Sequence, residues 1–131
     1  MDQLKSGAAS AIEPSAKVLD VDVLQDLLGS LGQPVAVAAI YSKFIANAAG
    51  FIRELSVLDA AARVETLHTL KGSAAMVGAE RLAALAARLE PQSPVQVEQA
   101  IQALEIELKQ FRAMVVAQFD ALGAPIQSES I

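Results

Sequence analysis

The chain has a single histidine, His68, and no cysteine among its 131 residues. Lys71 and Gly72 follow that histidine three and four places on. An imidazole is a competent nucleophile near neutral pH, because much of it is uncharged there. It can attack a phosphorus centre without a separate base, and the phosphoramidate it forms stays reactive. An ammonium one helical turn away can balance the charge of incoming phosphoryl oxygens. A glycine beside the imidazole removes a side chain, so that another protein's active site can close over the ring. Glycine costs a helix about 1 kcal/mol relative to alanine. A costly glycine next to a histidine is the local rule-breaking expected where function overrides stability.

For these residues to work together they must share an exposed helix face. A helix starting after Asp59 and closing at Gly78 supplies it. With Val64 set at 0°, the apolar residues Leu67, Leu70, Ala74 and Val77 centre near about 260°, and His68 falls near about 40°. Gly72 lies near about 80° and Lys71 near about 340° on the same projection. His68 is therefore expected to face outward. Ala61, Ala75, Met76 and Ala79 fall between about 20° and 120°. With Gly72 they should form a collar of small residues and one methionine on which a partner docks. On the preceding helix, Ile45 and Ile52 flank the core stripe and are candidates for the same docking surface.

The remaining elements follow from apolar periodicity and breakers. A short helix is expected at about 20–31, with Asp22 and Gln25 as a capping box and Gly29 and Gly32 at its end. Pro34 opens a second helix whose stripe is Val37, Tyr41, Phe44, Ala48, Phe51, Leu55 and Leu58. The His68 helix spans about 60–77. A fourth helix, about 80–90 before Pro91, buries Leu82, Leu85 and Leu89. The last, about 94–121, carries Val97, Ile101, Leu104, Leu108, Phe111, Val115 and Leu122 before Gly123 and Pro125. Short connections make neighbours antiparallel. The expected fold is all-α: an up-down-up-down antiparallel four-helix bundle with a short additional N-terminal helix. Residues 1–18 are expected to be a flexible tail, 19–122 the bundle domain, and 123–131 a second flexible tail.

The string Leu67-His68-Thr69-Leu70-Lys71-Gly72-Ser73-Ala74 closely resembles the signature of histidine phosphotransfer (HPt) domains in bacterial multistep two-component phosphorelays. The likeness continues through Ala75-Met76-Val77-Gly78-Ala79-Glu80-Arg81-Leu82 to Leu89-Glu90. The other helices match in pattern only. The resemblance implies that His68 is the phosphorylated nucleophile, that Lys71 and Gly72 are the family's lysine and glycine, and that the protein is a phosphocarrier rather than an enzyme. The implied partners are receiver domains of response regulators or hybrid histidine kinases. Such a receiver carries phosphate on an aspartate and brings the Mg2+, so no cofactor or metal is expected on this chain. Two alternatives stand beside it. One is the phosphotransfer module of a chemotaxis-type histidine kinase, and the other a non-catalytic helical adaptor in which His68 is incidental.

Bulk properties narrow the classes further. The net charge of −5 disfavours nucleic acid. With no cysteine there is neither a disulfide framework nor a thiolate metal site. Lys43 and Asn47 interrupt the apolar run from Pro34 to Ile52, and Arg53 and Glu54 follow it, so it does not read as a membrane span. No signal peptide is visible in the first residues. A cytoplasmic monomer is expected. Met1 and the residues after Gly123 favour a stand-alone protein over a piece of a hybrid kinase, although the Ala/Ser-rich start would also serve as a linker.

Overall fold

A computed structural model describes residues 16–90 and 96–126. Five α-helices run through it: α1 Val21–Leu31, α2 Pro34–Glu54, α3 Ala60–Met76, α4 Glu80–Leu89 and α5 Val97–Ala121. A 3-10 turn, Leu55–Val57, joins α2 to α3. Among the described residues there is no strand. Helix α3 packs on α4, α4 on α5, α5 on α2 and α2 on α3, which closes a ring of four. Helix α1 lies against α2. The architecture is the expected all-α bundle.

The first three helices start at local signals, and α3 stops at one. Asp20 caps α1 by accepting the Asp22 amide at 3.0 Å, so the cap lies two residues before the expected box. Pro34 sits in the first turn of α2. The Asp59 carboxylate accepts the Ala62 amide at 2.8 Å and opens α3. At its other end Gly78 takes φ of +79°. The Gly78 and Ala79 amides donate back to Ala75 and Ala74, which ends the helix. A Cβ on Gly78 would stand 2.9 Å from the Asp20 carbonyl oxygen, because the Asp20 amide bonds Gly78 O at 2.8 Å. The tight turn at residues 77–79 thus binds the start of α1.

The core is apolar and aromatic. Tyr41 stacks near Phe111, with ring centroids 6.0 Å apart, and tilts against Phe119 at 5.6 Å. Phe44 meets Phe111 edge-on at 5.5 Å. The Tyr41 hydroxyl, fully buried, donates to Val77 O at 2.9 Å and satisfies a carbonyl at the end of α3. Burial, with the Asp20 charge adding to it, pushes the phenol up to about 12. By length and composition alone, Pro34–Val57 would suffice to cross a membrane. Here its Val37, Tyr41, Phe44, Ala48 and Ile52 side chains fill the bundle interior.

Several expectations fail for identifiable reasons. Ile45 and Ile52 are buried, at 3% and 1% exposure, and cannot form a docking surface. Helix α2 touches α1, α3 and α5 together, so its buried arc is wider than one stripe. Ala79 is also fully buried. The projection that placed it outward assumes continuous helix, but α3 ends at Met76 and Gly78 turns the chain inward. Leu122 is exposed, because α5 stops at Ala121 and Phe119 takes the interior position. At the chain ends, residues 16–18 and 123–126 do not behave as loose tails. The Lys17 amide donates to Glu80 Oε1, and Lys17 O accepts from the Arg81 amide. Ala124 is buried and its amide bonds Phe119 O. The rest of both expected tails lies outside the described residues.

Candidate functional site

Leu67, Leu70 and Ala74 anchor α3 in the core. That fixes the rotation of the helix and turns His68 outward. The imidazole is 69% exposed. Lys71 stands one turn further on the same side and is partly covered. Gly72 is exposed, and a Cβ built on it would meet nothing within 4 Å. The side chain missing there is therefore not excluded by this chain's own packing. Ala61, Ala75 and Met76 are exposed, Met76 at 77%. Three of the four expected collar residues around Gly72 thus reach the surface, and Ala79 does not.

A residue with no expected role completes the site. Glu90, immediately after α4, places Oε2 3.6 Å from His68 Nδ1 and 3.6 Å from Lys71 Nζ. Both distances are ion-pair separations, longer than a hydrogen bond. That oxygen is shielded from solvent, and no donor among the described residues hydrogen-bonds to it. Two potential cations therefore share one carboxylate oxygen. The signal was in the sequence, as arithmetic rather than motif. The α3–α4 turn is centred near Gly78, so an antiparallel return places the residues around 88–90 beside His68.

Helix α2 contributes a neighbouring feature. An open groove between α2 and α3 has Ile40, Lys43, Asn47 and Phe51 on one wall and Ser73 and Met76 on the other. It continues from the Gly72–Met76 surface. The residues that α2 offers to that face are thus Ile40 and Phe51, not Ile45 and Ile52. Among the described residues, no group of three or more His, Asp or Glu side chains is placed to hold a metal ion.

The family model of the Hpt domain matches residues 22–114, which takes in α1 through most of α5. The chain belongs to the Hpt domain family. No curated protein and no solved structure matches it. As an Hpt domain, the chain is a phosphotransfer module of two-component signalling, a phosphocarrier that works with receiver or kinase partners. In this Hpt domain His68 is exposed on α3, with Lys71 one turn on and the bare Gly72 beside it.

Proposed function

We propose that His68 is the phosphorylated residue, and that this Hpt domain carries phosphoryl groups from one receiver domain to another. The observation that carries the reading is the chain's single histidine, standing 69% exposed on α3 with Lys71 and the open Gly72 beside it. In the forward step a ring nitrogen of His68 attacks the phosphorus of a receiver's aspartyl phosphate. A P–N bond forms, the P–O bond to the aspartate breaks, and the carboxylate leaves with its electron pair. The reverse step on a second receiver restores the imidazole. The Glu90 carboxylate faces Nδ1. It favours a proton on that nitrogen and leaves Nε2 as the attacking atom. Lys71 supplies positive charge to the phosphoryl oxygens. The receiver contributes its own aspartate and Mg2+, and this chain binds no cofactor of its own.

Docking uses Gly72, Ala61, Ala75 and Met76, with the α2–α3 groove beside them. Small exposed residues cost little to desolvate and let a partner's backbone approach to near-attack distance. The reading fits a cytoplasmic protein. The test is phosphotransfer from a panel of phosphorylated receivers to wild type and to His68→Gln. Wild type should acquire acid-labile, base-stable phosphate, and the folded variant none. Phosphate retained by His68→Gln would overturn the assignment.

A further inference from the structure

Glu90 holds Lys71 before any phosphoryl group is present. The ammonium that should steady the phosphoryl oxygens is already engaged, 3.6 Å from Glu90 Oε2. Resting on the reading that His68 carries the phosphoryl group, we propose that Glu90 is a positioning residue that keeps Lys71 in the unloaded protein and yields it to the phosphoryl group once His68 is loaded.

The charges decide the exchange. A phosphoryl group carries roughly −2 near neutral pH and a carboxylate −1, so at similar separation the phosphoryl group attracts the ammonium about twice as strongly. Lys71 is three residues from His68 on the same face of α3, and its side chain is partly exposed, so it is free to swing without moving the helix. Glu90 is less free. It follows the last turn of α4, and its Oε2 is shielded from solvent with no hydrogen-bond donor among the described residues. Holding the ammonium at the site spares it a search for the phosphoryl oxygens. It also sets a threshold, because the loaded state must first draw Lys71 away from an anion. Glu90 thereby makes phospho-His68 a readier donor than Lys71 alone would allow.

The loaded state can be prepared without any receiver. In phosphoramidate the phosphorus is attacked by the exposed imidazole, the P–N bond to ammonia breaks, and ammonia departs with the proton the ring gives up. Loading therefore succeeds whether or not the protein is a relay carrier, and transfer to receivers tests that separate reading. The experiment follows the decay of phospho-His68 by intact mass in wild type, Glu90→Gln, Lys71→Met and the double variant. Glu90→Gln should lengthen the lifetime several-fold when Lys71 is present, because the freed ammonium stays with the phosphoryl group. In the Lys71→Met background the same change should have little effect. An equal change in both backgrounds would mean that Glu90 acts by simple repulsion or through helix packing, and would overturn the proposal. So would no change, or a shorter lifetime, for Glu90→Gln alone.

Discussion

At Gly72, helix stability and the proposed docking of a receiver pull in opposite directions. The position is helical and exposed, with open space where a Cβ would stand. Gly72→Gln should therefore stabilise the bundle, by about 0.5 to 1 kcal/mol from helix propensity alone. It should also obstruct a receiver's approach to His68. The paired measurement is a urea titration and a transfer assay, with a higher midpoint and much slower transfer as the expected outcome. Normal transfer by that variant would remove the clearance argument. Lys71→Ala tests the neighbouring charge. Losing one charge contact of about 1 to 3 kcal/mol corresponds to roughly five- to 150-fold slower transfer. Stopped-flow transfer from a receiver would read it, and an unchanged rate would place phosphoryl stabilisation elsewhere.

At the scale of elements, one buried hydroxyl bonds α2 to the end of α3. Tyr41 donates to Val77 O in the core, and it is the chain's only tyrosine. Tyr41→Phe leaves that carbonyl unpaired and should cost about 1 to 3 kcal/mol without touching the chemistry at His68. The phenol predicts a pH effect as well. Its folded pKa, about 12, lies above the ordinary 10.0, so the folded state holds the proton more tightly than the unfolded chain. The resulting stability is fully present below about pH 10 and is lost as pH rises towards 12. Tyrosinate absorbance should show one titration displaced upward in the folded protein, and Tyr41→Phe should flatten the alkaline loss of stability. These elements show what the sequence reveals. Asp59, Pro34 and Gly78 mark their helix ends plainly, and the exposure of His68 follows from Leu67, Leu70 and Ala74. Periodicity treats each helix alone, however. It could not show that α2 is enclosed by three neighbours, which buries Ile45 and Ile52, or that the chain turns inward before Ala79. Glu90 carries no motif of its own, and only counting the antiparallel return of α4 about Gly78 brings it beside His68.

For the molecule as a whole, one charged pair ties the last two helices. Arg81 on α4 forks onto Glu107 on α5, with its closest contact, from a terminal guanidinium nitrogen to Oε2, at 2.9 Å and the Nε contacts at 3.2 Å. The Glu107 side chain is only 10% exposed. Arg81→Met would leave that carboxylate shielded and unpaired, at a cost of roughly 2 to 4 kcal/mol after allowing for the partial exposure of Arg81. Replacing both members with apolar residues should cost far less. Thermal melts of the two variants would separate these outcomes, and equal losses would show that the pair contributes packing rather than charge compensation.

The turn at residues 77–79 has a practical consequence for attaching anything to this protein. Lys17 enters beside the first turn of α4, through its bonds to Glu80 and Arg81. Ala124 leaves beside Phe119, whose ring touches the tyrosine that bonds Val77. Entry and exit therefore share one pole of the bundle, while His68 sits nine residues up α3 from Val77, about 13 Å away. A fluorophore or tether attached at residue 17 or 124 would sit at that pole, away from His68, which lies halfway along α3. Fixed to a sensor surface through either of those positions, the domain would leave the exposed side of His68 open to solvent.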